Sequence, residues 1–196
     1  MCMAPPPGPR HVMGIAKTRP GIMQMKRILL ALTGAVMFAG SALAGPQYVD
    51  KSGYAVSGYD VVAYHGLSQS KVGTAQPKAV PGKTEFTAEY NGSKWAFANA
   101  ANLEKFKADP AKYAPQFDGH CAYGVSQGGK VPANPHLWRI VDGKLYLNIT
   151  KTVVGFWEKN IPGLIKTADK KWTKLEKNAA SKRKIPAFDI KSAPQT

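Results

Sequence analysis

Cysteine is nearly missing from this chain: two occur in 196 residues, Cys2 and Cys121. Without a Cys-x-x-Cys pair, a thiolate zinc ribbon is excluded, and so is a disulfide framework. Acidic residues are also scarce, 12 against 27 lysines and arginines, and none lies in 1–44. Long apolar runs are lacking. The longest, Ile28 to Gly40, is short of the ~20 residues that a membrane-spanning helix needs.

The positive charge is spread along the chain. Without 1–44, 22 basic and 12 acidic residues remain, a net of +10. The stretch from Thr173 to Thr196 carries +4 of this, which leaves the body near +6. Such a balance suits contact with an anionic surface. It is not the concentrated basic stripe of a nucleic-acid binder, so no nucleic-acid partner is expected.

Met25-Lys26-Arg27, the apolar run and Ser41-Ala42-Leu43-Ala44 have the order of a signal peptide, with a charged start, an apolar middle and a small-residue cleavage site. Cleavage is expected after Ala44, giving a periplasmic or secreted protein with no stable membrane insertion. No cysteine follows the cut, which argues against a lipid anchor. Residues 1–24, with Cys2 and His11, read as a non-native extension upstream of a natural start at Met25 or Met23. The expected organisation is extension 1–24, signal 25–44, folded domain 45–175 and a basic disordered tail 176–196. Export places Cys121 in an oxidising compartment without an internal partner.

Within the domain, Phe86, Ala88 and Tyr90 alternate with Glu85, Thr87 and Glu89, the period of a half-buried strand. Asn91-Gly92 is a hairpin turn signal, and Trp95 and Phe97 alternate on the return strand. Asn99 is a helix N-cap candidate, with Leu103 and Phe106 at helical spacing before Pro110. Asp142-Gly143 joins a second hairpin, Trp138–Val141 with Lys144–Leu147. Helices are expected from Thr152 to Asn160 and from Pro162 onward. The fold class is α+β: two hairpins forming one antiparallel sheet, with about three helices.

The densest chemistry lies in Phe117-Asp118-Gly119-His120-Cys121-Ala122-Tyr123-Gly124. Three readings stand open. First, Cys121 and His120, with His65 and His136, supply a thiolate and imidazoles that copper or zinc accepts. No two of these four have helical i, i+4 spacing. Second, Cys121 is a nucleophile with His120 as its base, Asp118 orienting the histidine and Tyr123 donating a hydrogen bond. Its substrate would be a small thiol or peroxide. Third, the loop is a packed corner of an interaction module, with Tyr59 and Asp60 as pocket residues and Asp60 alternatively capping the next turn.

Gly58-Tyr59-Asp60-Val61-Val62-Ala63-Tyr64, Glu89–Phe97, Leu103–Phe117, Cys121–Ser126 and Trp138–Asn148 together resemble YHS domain proteins, specifically the exported bacterial group described as YHS domain-containing (seleno)proteins. The resemblance spans roughly 48–172. Some relatives carry selenocysteine where this chain has Cys121, which implies redox or metal chemistry there. Other YHS domains ligate metals through cysteines in an aromatic-Cys-Ser-x-x-Cys stretch after the second hairpin strand. Here that stretch is Phe97-Ala98-Asn99-Ala100-Ala101-Asn102, without cysteine. Relatives have aromatic residues where this chain has His65 and His120. The leading expectation is therefore metal binding at Cys121 and His120, copper preferred. A thiol redox enzyme is second and a non-catalytic module third.

Overall fold

Two tight turns organise the chain. Asn91 and Gly92 both adopt positive φ, 50° and 66°, as do Asp142 and Gly143, 50° and 74°. That pair of left-handed residues is the type I′ turn that matches strand twist. The computed structural model describes Gly8 and residues 45–196. The expected upstream extension and signal peptide, with Cys2 and His11, lie outside the described residues.

The first turn joins β1, Lys83–Tyr90, to β2, Ser93–Phe97. The second joins β3, Asn134–Val141, to β4, Lys144–Asn148. Each hairpin is its own antiparallel two-stranded sheet, which corrects the expectation that they share one. Register shifts between Lys83 and Thr87 and between Asn134 and Trp138 interrupt both ladders. Such irregularities twist a strand and end regular pairing.

The helices follow their caps. Asn99 accepts from the Asn102 amide and opens α1, Ala100–Ala108. Asp109 caps α2, Pro110–Tyr113, with the proline in the first turn where its missing N–H is harmless. Cys121 itself caps α3, Ala122–Ser126. Thr150 opens α4, Lys151–Glu158, and Asn160 opens α5, Ile161–Leu175. The result is α+β, as expected. Among the described residues no helix is long and apolar enough to cross a membrane.

Two apolar clusters form. In the first, Trp95, Phe97 and Phe106 pack with centroids 4.9–5.2 Å apart, joined by Tyr59, Tyr64, Cys121, Trp138 and Leu147. In the second, Phe117, Ala122, Val125, Tyr146, Trp157 and Ala168 gather, with Leu164, Ile165, Trp172 and Leu175 of α5 against them. The loop from Phe117 to Val125 is the seam between the clusters.

The expected disordered tail is instead laid back along the domain. Thr84 N–H donates to Gln195 O at 2.9 Å, and Gln195 N–H to Gly82 O at 2.8 Å. Ser181 N–H donates to His120 Nε2 at 3.1 Å, and Ile185 and Ala193 are buried. Backbone and imidazole groups hold this strap, which is why its apolar poverty misleads.

Candidate functional site

Phe117, Asp118 and Gly119 all have positive φ, 59°, 50° and 73°. Three left-handed residues in a row reverse the chain, and for Phe117 the conformation costs about 1–2 kcal/mol. Burial of its ring against Tyr146 and Trp172, at 5.9 and 5.5 Å, holds it there. The chain then extends through His120 and Cys121, which bridge Pro132 and Leu147 respectively. Successive side chains of an extended segment point to opposite faces. His120 accordingly faces the Tyr48 and Trp172 rings, while Cys121 enters the first cluster.

Both imidazole nitrogens of His120 are used. Nδ1 lies 2.9 Å from Phe117 O and Nε2 accepts from Ser181 N–H. The ring is thus neutral with its proton on Nδ1. Burial pulls its pKa down to about 4, opposed by the bond to Phe117 O and reinforced by Lys130. The Cys121 thiol is fully buried. It lies 3.4 Å from Asn148 Oδ1, as donor, and accepts from Gly124 N–H at 3.4 Å. Burial pushes its pKa up, despite backbone N–H groups nearby. A protonated, buried thiol is a poor nucleophile. Asn148, which ends a family-matching stretch but has no role assigned from sequence, also accepts from Tyr123 N–H.

The other candidates sit elsewhere. His65 is half-buried, its ring edge-on to Tyr113 at 5.2 Å and its Nε2 unpartnered among the described residues. His136 accepts from Ala79 N–H at Nδ1, 3.2 Å away, so Nε2 carries the proton toward Tyr59 Oη at 3.3 Å. The Tyr59 hydroxyl then donates to Ser192 Oγ, which donates to Asp189 O. Asp60 is fully buried. Its Oδ1 accepts from Val62 and Ala63 N–H and its Oδ2 from Ala98 N–H and Asn102 Nδ2, all at 2.7–3.1 Å. Asp60 thus caps its own turn and ties it to the start of α1. The Asp118 carboxyl makes no hydrogen bond to the His120 ring, whose nitrogens are bonded to Phe117 O and Ser181 N–H; the carboxyl is pushed up to about 6, chiefly by burial.

A cleft of about 410 Å³ opens on the other side of His136. One wall is the 73–78 loop, a second is β3 with Trp138, and the third is the α4 face of Lys151, Val154, Gly155 and Glu158. The loop wall is fastened by Trp138 Nε1–H to Pro77 O at 2.8 Å and Gly73 N–H to Glu158 Oε2 at 2.8 Å. Arg139 pairs with Glu158 and donates to the Ser70 and Lys71 carbonyls. Lys78 and Lys151 therefore give the rim its uncompensated charge. No motif marks this cleft, because its walls come from three distant stretches.

The hairpin of β1 and β2 with its capped helix is a small α+β unit, closed behind by Asp60. Residues 75–117 match the family model of the YHS domain, and the chain contains that domain. No curated protein and no solved structure matches the chain. YHS domains are linked to metal binding, so the ligand set can be tested against one. The matched segment holds no cysteine and no histidine. Among the described residues no group of three or more His, Cys, Asp or Glu side chains could hold an ion. His65, His120, Cys121 and His136 do not converge, and His120 has no free nitrogen. The residues present do not fit a resident metal.

Proposed function

We propose that this chain is an exported, non-catalytic YHS-type binding module, taking a small apolar carboxylate in the cleft between the 73–78 loop, β3 and α4. The observation that carries the reading is the cleft itself. Trp138 and Val154 offer apolar walls, Lys78 and Lys151 line it with positive charge, and hydrogen bonds fix the loop before any ligand arrives. Apolar pockets with a few placed polar groups are the usual form of a small-molecule site. The thiol loop, in contrast, spends its polar atoms internally.

Calorimetric titration with 2-naphthoate tests this. One saturable site is expected, at least tenfold weaker for uncharged 2-naphthamide and in the double variant Lys78→Glu, Lys151→Glu. Equal affinity for both probes, or none for either, sinks it. Copper through Cys121 rests on the YHS match and the thiol–imidazole pair. One-to-one copper(II) or zinc binding that disappears in Cys121→Ser would restore that reading. Export, with cleavage after Ala44, rests on the charged, apolar and small-residue order of 25–44; N-terminal sequencing of exported protein tests it.

A further inference from the structure

Gly45, the first residue beyond the expected cut, is held within the fold. Its carbonyl accepts from Asn91 Nδ2 at 3.2 Å. Three residues on, Tyr48 N–H donates to Asp118 O at 2.9 Å, so the segment lies along the 117–126 loop. A Cβ built on Gly45 would collide with the Glu176 carbonyl oxygen and stand 2.8 Å from Asp118 Oδ2. Position 45 thus leaves no room for a side chain and sets the backbone beside a carboxylate. By tetrahedral geometry a Cβ site is about 2.5 Å from its own nitrogen, which puts the Gly45 nitrogen within about 5 Å of Asp118 Oδ2.

That oxygen is buried and has no hydrogen-bond partner among the described residues. The charged groups near it are Lys130 and Glu176. Lys130 Nζ makes its hydrogen bonds to Glu176 O and Asn178 O, at 2.9 and 2.8 Å, and none to this oxygen. The neighbouring His120 ring is neutral and bonded elsewhere. A buried carboxylate oxygen without a donor calls for an explanation, and the Gly45 nitrogen stands within about 5 Å of it.

In the uncut chain that nitrogen is an amide, uncharged and with one hydrogen. Signal peptidase hydrolysis adds water across the Ala44–Gly45 peptide bond. Ala44 departs with a carboxylate, and the Gly45 nitrogen becomes an amine that is mostly protonated at neutral pH. It then offers three donors and a full positive charge. We propose that cleavage after Ala44 creates an ion pair between the Gly45 α-ammonium and the Asp118 carboxylate, fastening the new N-terminus to the 117–126 loop and the end of α5. The inference rests on the export reading above. Processing then completes the fold after translocation, and a cut displaced by one residue moves the charge about 3.8 Å from its partner.

Three versions of the chain from Gly45 onward, which lies within one compact unit, test the pair: Gly45 first with a free amine, Ala44 retained in front, and Gly45 first but N-acetylated. At pH 7 the free Gly45 form is expected to melt about 3–8 °C above both others. In Asp118→Asn the three should melt together. Equal melting in the wild-type background, or a difference that survives Asp118→Asn, overturns the pair. If Asp118→Asn does not fold, amine labelling against pH decides. The wild-type terminus should react at least tenfold more slowly at pH 7 than a Gly-Pro-Gln peptide, and an equal rate overturns it. N-terminal sequencing reads the premise separately: a start other than Gly45 sinks the processing step, whereas the melting comparison judges only the contact.

Discussion

Cys121 Sγ donates to Asn148 Oδ1 across 3.4 Å, and the same oxygen accepts from Tyr123 N–H at 3.2 Å. The thiol therefore acts as a buried fastener between α3 and β4. This predicts a thiol that is chemically quiet. In the native protein at pH 8, iodoacetamide should label Cys121 at under a tenth of the rate seen in denaturant, because labelling must wait for opening of the fold. A native rate close to that of a free thiol would return Cys121 to the role of nucleophile.

His120 makes an acid-sensitive joint. Burial and its two bonds keep the ring neutral, with the pKa lowered to about 4 from 6.5. The unfolded chain thus binds the extra proton first as pH falls. Stability from this group is complete above 6.5 and is lost progressively down to about 4, on the order of 3 kcal/mol in total. Asp118, raised to about 6 from 3.8, titrates in the opposite sense. The measurement is best made in Asp118→Asn. Urea midpoints should fall between pH 6.5 and 4 in that background, and the slope should vanish on adding His120→Gln. A slope that persists without His120 would assign the acid sensitivity elsewhere.

What the sequence shows of this molecule depends on the kind of interaction. Both hairpins are legible, since Asn91-Gly92 and Asp142-Gly143 demand left-handed turns and the flanking residues alternate. The α1 start is legible at Asn99, and a turn-capping role for Asp60 is among the sequence readings. The meeting or parting of the histidines is not. It turns on three left-handed residues at 117–119, followed by two extended ones that send His120 and Cys121 to opposite faces. The strap at 178–196 escapes for another reason: backbone groups at Gly82, Ser181 and Gln195 hold it, and these leave no apolar period. The roles of Asn148 and of the cleft residues are invisible because partners 25 or more positions away define them.

Asp60 should be intolerant of its nearest analogue. Its two oxygens receive four N–H groups and it has no cationic partner in those bonds. Asn in its place would turn an NH₂ toward donors. Asp60→Asn is expected to cost about 2–4 kcal/mol and Asp60→Ala no less. Asn102→Ala, which removes one of the four donors, should cost about 1 kcal/mol. Urea denaturation reads all three. An Asp60→Asn protein as stable as wild type would mean the carboxylate is not the tie between the 59–63 turn and α1.

The Arg139–Glu158 pair is enclosed, with side chains 6% and 7% exposed, and it holds the loop wall of the cleft through Ser70, Lys71 and Gly73. Removing one partner strands a buried charge, so Glu158→Gln should cost about 3–5 kcal/mol. Replacing both, Arg139→Met with Glu158→Leu, removes the stranded charge and should be less damaging than either single change. The loop responds differently. Gly73 N–H loses its acceptor in Glu158→Leu, and the Ser70 and Lys71 carbonyls lose their donor in Arg139→Met. Hydrogen exchange at Gly73 should therefore speed up at least tenfold in the double variant although global stability recovers. Exchange at Gly73 that tracks global stability alone would show the loop to be held by packing and not by this pair.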